Sequence, residues 1–263
     1  MSQAVEAPPF LEVNHLTLRY KTNEHLVTAT YNVSFQVYEG DRLILLGPSG
    51  CGKSSILKAI GGYIKPDQGD ISLKGKPIVK PGADRGMVFQ EFDQLLPWKT
   101  ALGNVVFAIR ATRHISGRAA EEDARTFLRK VNLTSFENLY PHELSGGMKQ
   151  RVAIARCLAI RSSIILMDEP FASLDALTRS RMQEELLRLW DDTRCTLVFV
   201  THSIEEALLL GSRIVVLSAH PGQIVAEFNV DYSVTGISGT RELAAMRARI
   251  ERILSKNEPE YAI

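Results

Sequence analysis

The stretch Gly47-Pro48-Ser49-Gly50-Cys51-Gly52-Lys53-Ser54 follows the apolar run Leu43-Ile44-Leu45-Leu46 and decides how the rest of the chain is interpreted. A buried strand that ends in a glycine-rich loop and continues as a helix directs backbone N–H groups and the positive end of the helix dipole at one place. Lys53 can reach the outer phosphates of a ligand there, and the Ser54 hydroxyl can ligate Mg²⁺. The stretch is therefore predicted to be a phosphate-binding loop, or P-loop.

The composition favours one α/β domain, or a core domain with a smaller appended subdomain. The chain has 263 residues, of which 45% are hydrophobic and 23% charged. Its net charge of +1 gives no general attraction to nucleic acid. The sequence has no long apolar run and residues 1–10 do not resemble a signal peptide, so we expect a cytoplasmic location. Cys51, Cys157 and Cys195 show no metal-like spacing and are expected to be reduced thiols.

Apolar patterning predicts alternating strands and helices around the P-loop. Strands are predicted over residues 10–20, 31–38, 43–46, 71–73, 87–89, 164–167, 197–200, 214–217 and 223–228. Helices are predicted between the P-loop and Gly61, around residues 102–109, over 118–131, after Ser145, up to Trp190, over 204–210 and over 241–254. Residues 66–70, which include a proline and a glycine, are predicted to form a turn.

Two carboxylates follow one predicted strand, and an amide follows another. Residues 164–167 lead into Asp168 and Glu169, so a buried strand would deliver both carboxylates at its end. Beside a P-loop, Asp168 is predicted to orient Mg²⁺ through water, and Glu169 to accept a proton from the attacking water. Gln90 follows the apolar run 87–89 and could coordinate Mg²⁺ or a water near the γ-phosphate, although such a glutamine is more often a surface residue.

Two ring side chains at predicted strand ends each have two interpretations. Tyr20 is either an aromatic plate for a nucleotide base or an ordinary strand-end tyrosine. His202 follows the strand 197–200 and would emerge at the same carboxyl edge as Lys53 and Asp168. A lone strand-end histidine is usually structural, but the shared edge favours a contact with the γ-phosphate.

Two predicted helix starts carry polar residues. In Leu144-Ser145-Gly146-Gly147-Met148-Lys149-Gln150-Arg151, Ser145 can cap a helix. This helix is expected to carry the apolar residues Met148, Val152, Ala155 and Ala159 on one side. Gly146-Gly147 leave bare N–H groups that could form a second anion site, although a plain capped helix is the simpler interpretation. Asp175 precedes another helix, and a cap is a sufficient explanation for it.

The segment Leu95-Leu96-Pro97-Trp98 precedes two predicted helices. It is either the core of a helical insert or an exposed apolar patch that docks a partner, and the sequence favours neither.

Taken in order, these motifs resemble those of the nucleotide-binding subunit of ABC transporters. Tyr20, residues 47–54 and Gln90 match the family's aromatic loop, P-loop and glutamine loop. Residues 144–150 match its signature, and Asp168-Glu169 match its acidic strand end. Residues 173–175 match its Asp-containing turn, and His202 matches its switch histidine. The resemblance spans about residues 10–230, and the Leu-Ser-Gly-Gly signature distinguishes this family from other P-loop ATPases. Met148 stands where glutamine is commoner, which leaves Ser145 and the two glycines unchanged.

The resemblance implies an α/β fold of the ABC ATPase architecture. This architecture has a RecA-like P-loop NTPase core with an antiparallel β subdomain and an α-helical subdomain. The ABC ATPase domain is expected over residues 10–232, with a helical insert at about 91–160, and a short C-terminal helical tail over 233–263.

The resemblance also implies an ATPase that uses ATP and Mg²⁺. The expected ATP-binding residues are Tyr20, Gly47, Pro48, Ser49, Gly50, Cys51, Gly52, Lys53, Ser54, Ser55, Ser145, Gly146, Gly147 and Asp175. The expected Mg²⁺ ligands are Ser54, Gln90 and Asp168, and the expected catalytic residues are Glu169, His202 and Gln90. In the family, the signature of one subunit completes the site of its partner in a head-to-tail dimer that sandwiches two ATP molecules, and hydrolysis loosens the dimer.

A narrower resemblance, to the ATPases of nitrate, sulfonate and taurine importers, lies in residues 82–90, 95–98 and 169–179. It implies transmembrane permease subunits as partners, a solute-binding protein indirectly, and a second copy of the chain or a paralogous ATPase subunit. It implies no nucleic-acid partner and a peripheral location on the cytoplasmic side of the inner membrane. The short tail departs from relatives that carry a large regulatory domain, and the identity of the solute does not follow.

Two other classes are weighed against an importer subunit. A soluble ABC ATPase that acts on nucleic acid or ribosomes usually has two ATPase halves or long basic or coiled inserts, and this sequence shows neither. An exporter ATPase would predict a fused membrane domain or a different patch after Gln90.

Overall fold

The computed structural model describes residues 8–21, 25–90, 94–115, 117–172, 174–230 and 237–257, with the backbone alone at 237–240. The strands are β1 (Leu11–Lys21), β2 (Leu26–Val37), β3 (Arg42–Leu46), β4 (Gln68–Leu73), β5 (Lys76–Pro77), β6 (Arg85–Val88), β7 (Ile164–Asp168), β8 (Thr196–Thr201), β9 (Arg213–Leu217) and β10 (Ile224–Asn229). The helices are α1 (Lys53–Ile60), α2 (Ala101–Arg113), α3 (Gly117–Lys130), α4 (Gly146–Ala159), α5 (Ala176–Thr193), α6 (Ile204–Leu210) and α7 (Ile237–Lys256).

The described residues fall into two compact units. The first unit lies within Met1–Pro81 and Thr196–Ile263, and the second lies within Gly82–Cys195. Each unit contains some of the predicted site residues.

The first unit contains two sheets of different construction. In one, β1 pairs antiparallel with β2 and with β4, and β4 pairs with β5. In the other, β3 lies between β8 and β9 and is parallel to both, and β10 pairs antiparallel with β9. All residues of β3 and β8 are buried, as expected for strands covered on both faces. The parallel pairing of Leu46 with Thr201 brings the residues after β3 and β8 to the same edge.

The second unit combines a short parallel strand pair with long helices. β6 and β7 are parallel, and Val88 is opposite Met167. α4 packs against α2, α3 and β6. The apolar side predicted for α4 is present, since Val152, Ala155 and Ala159 are buried. Burial also extends to the opposite side of the helix, at Ile154 and Cys157. A helix enclosed by several elements needs apolar residues on more than one face.

The predicted turn over residues 66–70 is partly wrong. β4 begins at Gln68, which pairs with Thr17, and Asp70 pairs with Asn14. Gly69 has a φ of +84°, and a Cβ added to it would lie 2.2 Å from the Asn14 carbonyl oxygen. Pairing with β1 therefore overrides the turn preference of these residues, and glycine permits the close approach.

The C-terminal helix α7 is longer than the predicted span of 241–254 and packs against α6. Ile250 is fully buried, and Arg247 lies 2.7 Å from the Glu205 carboxylate. In the part of the chain that the structure describes, no helix combines the length and the apolar character that crossing a membrane requires.

Candidate nucleotide site

The P-loop backbone takes conformations that favour glycine, and it opens helix α1 without a side-chain cap. Gly50 and Gly52 have φ values of +79° and +91°, in the left-handed region. Gly52 is the N-cap of α1, and it has no side chain to accept a hydrogen bond from the first turn. The N–H groups at this helix start are therefore suited to an anion.

The Lys53 side chain is held inside the loop. Its Nζ atom donates to the Gly47 and Pro48 carbonyl oxygens, each at 2.8 Å, and the residue is only 4% exposed. A buried ammonium group within the loop that opens a helix adds positive charge to the positive end of the helix dipole. This environment would suit a phosphate group and would exclude most neutral ligands.

The loop is also tightly packed against its surroundings in the first unit. A Cβ added to Gly47 would lie 3.1 Å from the Leu217 carbonyl oxygen, and one added to Gly52 would lie 2.4 Å from the Thr30 methyl carbon. Any side chain at either position would have to displace the backbone or its neighbour.

Tyr20 is linked directly to the helix that follows the P-loop. Its hydroxyl donates to the Ser55 Oγ atom at 2.8 Å, and the residue is 39% exposed. The ring thus combines an anchored polar end with exposed surface, as stacking on a nucleotide base would require. This contact favours the aromatic-plate interpretation, although stacking itself stays a prediction.

His202 lies where the sequence predicts, directly after β8 and at the edge that carries the P-loop. It is exposed, and the backbone beyond it is fixed. Thr201 Oγ1 donates to the Glu206 carboxylate at 2.6 Å and accepts from the Ser203 N–H at 3.0 Å. Ser203 then caps α6. These bonds limit the positions that the imidazole can reach.

In the second unit, Gln90 follows β6 and the pair Asp168-Glu169 forms the end of β7 and the residue after it. Because β6 and β7 are parallel neighbours in register, the amide and the two carboxylates belong to the same edge. Asp168 is 4% exposed, whereas Gln90 is exposed. No group of three or more His, Cys, Asp or Glu side chains positioned for a metal occurs among the described residues.

The side chain of Gln94 fixes the backbone of Phe89, the residue before Gln90, by two hydrogen bonds. Gln94 Nε2 donates to the Phe89 carbonyl oxygen at 3.0 Å, and Gln94 Oε1 accepts from the Phe89 N–H at 3.2 Å. Arg156 on α4 donates to the Gln94 carbonyl oxygen at 2.6 Å. A lone glutamine four residues after Gln90 gives no sequence signal for this role.

Glu169 has a strained backbone. Its φ of +41° places a residue with a Cβ in the left-handed region. Such strain persists only where the surrounding structure enforces it, and it occurs most often at functional sites. The strain is evidence, independent of the motif, that the carboxylate direction matters.

The glycine-rich start of α4 lies against the turn that carries Asp175. Ser145 Oγ accepts from the Met148 N–H at 3.3 Å, which confirms the predicted cap. Asp175 caps α5 by accepting from the Thr178 N–H at 3.0 Å, and hydrogen bonds from Thr178 lower the pKa of this carboxyl group. A Cβ added to Gly147 would lie 3.0 Å from the Thr178 methyl carbon. Thr178 therefore links the two helix starts, while Ser173 lies outside the described residues.

The segment from Leu95 to Trp98 fits both interpretations in part. Leu95 is 4% exposed and belongs to the core, whereas Trp98 is 69% exposed. The buried Asn104 holds the segment by accepting from the Leu96 N–H at 2.8 Å and donating to the Leu96 carbonyl oxygen at 3.2 Å. The segment is thus a fixed loop that presents one large aromatic ring.

A helix-opening P-loop, an Asp-Glu pair at a strand end and a capped glycine-rich helix together define a P-loop ATPase. Residues 30–172 match the sequence model of the ABC transporter family. The chain belongs to the ABC transporter family and is one of its ATP-hydrolysing cassettes.

Two relatives are named as ATP-binding proteins of import systems. The chain is 44% identical over 260 residues to the taurine import ATP-binding protein TauB of Rhizobium johnstonii, a match that covers 94% of this chain and 97% of the relative. It is 41% identical over 219 residues to the nitrate import ATP-binding protein NrtD of Synechococcus elongatus, covering 83% of this chain and 80% of the relative.

A solved structure has the same fold. The dimeric post-hydrolysis structure of the ATP-binding cassette MJ0796, bound to ADP and Pi, has a TM-score of 0.74 and 34% identity, and the match covers 84% of this chain and 99% of that one. These matches confirm the family resemblance and the fold class predicted from the sequence. The roles of individual site residues stay predictions.

Cys51 is predicted to react slowly with alkylating agents in the native protein. The residue is 1% exposed, and burial raises the pKa of its thiol, an effect that Lys53 only partly opposes. Since the thiolate is the reactive form, alkylation by iodoacetamide at pH 8 should be at least about ten times slower than in the unfolded chain. Timed quenching and peptide mass spectrometry measure this rate. Equal rates in native and unfolded protein would contradict the buried placement of the thiol.

The strain at Glu169 predicts an unusual order of stability between two variants. Glu169→Gly should have a free energy of unfolding higher than that of Glu169→Ala by about 1 kcal/mol, because glycine adopts positive φ without the Cβ penalty. Urea denaturation of the two purified variants measures the difference. If the alanine variant is at least as stable, the backbone at this position is not strained.

Proposed function

We propose that this chain is the ATP-hydrolysing subunit of an ABC importer that powers uptake of a small anionic or organic solute. The observation that carries the proposal is the P-loop, which combines an uncapped helix start with the buried Lys53 ammonium group bonded to the loop's own carbonyl oxygens. Taurine and nitrate, the solutes in the names of two close relatives, support an anionic or zwitterionic cargo.

ATP would be bound mainly by residues of the first unit. Residues 47–54 would surround the phosphates, Lys53 would neutralise the outer ones, and the exposed Tyr20 ring would stack on the base. Ser55 would hold the tyrosine in place through the bond that it already accepts.

The donor set also fits Mg²⁺. Ser54, Gln90 and Asp168 would supply a hydroxyl, an amide and a carboxylate oxygen, all of them hard ligands. Mg²⁺ is usually bound through one or two carboxylates and completes its shell with water and phosphate oxygens, so a dense carboxylate cluster is not needed. When bound, the ion would neutralise charge on the phosphates during the reaction.

Hydrolysis would depend on Glu169 as the general base that accepts a proton from the attacking water. Its strained backbone would fix the carboxylate direction, which supports this role over that of a passive turn residue. The imidazole of His202 would contact the γ-phosphate and hold the reacting geometry. Gln90 would position water or the metal ion at the same step.

We also propose that two copies of the chain associate head to tail. Ser145, Gly146, Gly147 and Asp175 would then act on the nucleotide held by the partner's P-loop. The cap on α4 and its contact with Thr178 would keep these residues in one rigid group. The dimeric state of the cassette MJ0796 supports this arrangement.

The partner in the membrane would be a pair of permease subunits. Trp98 and the half-exposed Phe107, both in the second unit, are large aromatic side chains suited to docking. The chain would lie peripherally on the cytoplasmic side of the inner membrane and act on a solute-binding protein only through the permease. In this proposal residues 10–232 form the ATPase domain, 91–160 its helical insert and 233–263 a tail.

Glu169→Gln is expected to lower ATP turnover by a factor on the order of 10²–10⁴, because the amide cannot accept the proton from water. ATP binding should survive, since the P-loop is unchanged. Steady-state phosphate release and nucleotide titration measure the two effects. The control is Glu184→Gln, which changes an exposed carboxylate paired only locally with Arg188 and should leave turnover unchanged. Wild-type turnover in Glu169→Gln would remove this residue from the role of base.

The head-to-tail arrangement predicts that two inactive variants restore activity when mixed. Lys53→Ala disables the P-loop, and Gly146→Asp places a negative charge where the γ-phosphate should bind. The new aspartate lies in the first turn of α4, where a negative charge interacts favourably with the positive end of the helix dipole, so folding should be preserved. In a mixed dimer one site keeps both an intact P-loop and an intact signature.

With random pairing, about half of the dimers in an equal mixture are mixed, and each mixed dimer has one functional site instead of two. The mixture should therefore show about a quarter of wild-type ATP turnover, whereas each variant alone should show almost none. Phosphate-release assays on each variant and on the mixture test this. If the mixture stays inactive although both variants bind one another, the signature does not act across the dimer.

A further inference from the structure

The loop between β9 and β10 lies directly against the P-loop. A Cβ added to Gly222 would lie 2.0 Å from the Cys51 carbonyl oxygen and 3.2 Å from the Cys51 carbonyl carbon. No side chain fits in that space unless the P-loop or the β9–β10 loop moves. Nothing in the chain's motif pattern draws attention to this glycine.

Gly222 is fixed from both sides by backbone hydrogen bonds to β2. Its N–H donates to the Ala29 carbonyl oxygen at 2.9 Å, and its carbonyl oxygen accepts from the Tyr31 N–H at 3.0 Å. Gly222 therefore cannot shift away from Cys51 without breaking the bridge to β2.

The β9–β10 loop also has its own internal bonds. Ser218 Oγ accepts from the Gln223 N–H at 3.0 Å and lies 3.1 Å from the Pro221 carbonyl oxygen, to which it can donate. The Ser218 N–H donates to the Gln223 carbonyl oxygen at 2.8 Å. A small loop closed in this way holds its shape when pressed by a neighbour.

β2 and the last residue of β9 lie close to two P-loop glycines, Gly47 and Gly52. The Leu217 carbonyl oxygen lies 3.1 Å from a Cβ added to Gly47, and the Thr30 methyl carbon lies 2.4 Å from one added to Gly52. Thr30 is fully buried. The end of β9 and β2 thus confine the P-loop at its start and at its end, and the β9–β10 loop confines it at Cys51.

The contact at Cys51 bears directly on a phosphate-binding group. The Cys51 carbonyl and the Gly52 N–H belong to one planar peptide unit, so the direction of the first fixes the direction of the second. Gly52 is the N-cap of α1, and its N–H belongs to the set that faces the expected phosphates.

We propose that Gly222 is a positioning residue for nucleotide binding, which acts by holding the Cys51–Gly52 peptide unit in its anion-binding orientation. The inference rests on the proposed function, since it assumes that the P-loop binds ATP. It adds a residue far along the chain, outside every motif, to those that determine nucleotide affinity.

Gly222→Ala tests this role. The added methyl group should rotate or displace the Cys51–Gly52 peptide, so the dissociation constant for ATP and the KM for ATP should rise by about 10-fold to 100-fold. The kcat at saturating ATP should stay close to that of the wild type, because Glu169 and the signature are unaffected. A fluorescent-nucleotide titration and a steady-state ATPase assay measure these quantities, and thermal denaturation monitors folding.

Gly211→Ala is the matched control. A Cβ there would lie 2.3 Å from the Ile44 side chain and 2.9 Å from the Ala207 carbonyl oxygen, so it is crowded to a similar degree but does not touch the P-loop. It should lower Tm and leave the dissociation constant for ATP unchanged. A second variant, Ser218→Ala, loosens the β9–β10 loop without adding bulk and should raise the dissociation constant in the same direction by a smaller factor.

Wild-type ATP affinity in Gly222→Ala, or an equal loss of affinity in Gly211→Ala, would overturn the inference. If Gly222→Ala does not fold, unchanged affinity in Ser218→Ala would overturn it. These results leave the proposed function intact provided that the wild-type protein binds ATP. Failure of the wild type to bind ATP would overturn both.

Discussion

The nucleotide site depends on a close fit between a loop with almost no side chains and the elements around it. Backbone N–H groups can converge on one anion only if the peptide units that carry them are held in fixed directions. In this chain the P-loop is confined by Leu217 at Gly47, by Thr30 at Gly52 and by Gly222 at Cys51. The buried Lys53 ammonium group then completes the loop from within. Every later step in the proposed cycle requires this arrangement.

Much of this could be predicted from the sequence because the relevant signals are local. The run of apolar residues 43–46 next to a glycine-rich segment predicts both β3 and the P-loop, and the structure has both. Asp168-Glu169 and His202 lie at strand ends as predicted, because each follows a short, strongly apolar run. The order of these motifs also identified the family, which the comparisons confirm.

The contacts between distant segments could not be predicted in this way. Three examples are the hydrogen bond from Tyr20 to Ser55, the hydrogen bonds between Gln94 and Phe89, and the close approach of Gly147 to Thr178. In each pair, the sequence around the two residues contains no pattern that predicts the contact. The turn predicted at 66–70 failed for the same reason, because pairing with β1 draws its last residues into β4. A positive φ at Glu169 is likewise set by its surroundings, since no preference of glutamate favours it.

This cassette is proposed to drive a transporter in the membrane. The most direct test of this role is an affinity pull-down of tagged Glu169→Gln protein from gently solubilised native membranes with ATP present, with the retained proteins identified by mass spectrometry. We expect a polytopic membrane protein in a one-to-one ratio with the cassette, and this complex could then be screened for its solute. Retention of only soluble or ribosomal proteins would contradict the claim and favour a soluble ABC ATPase.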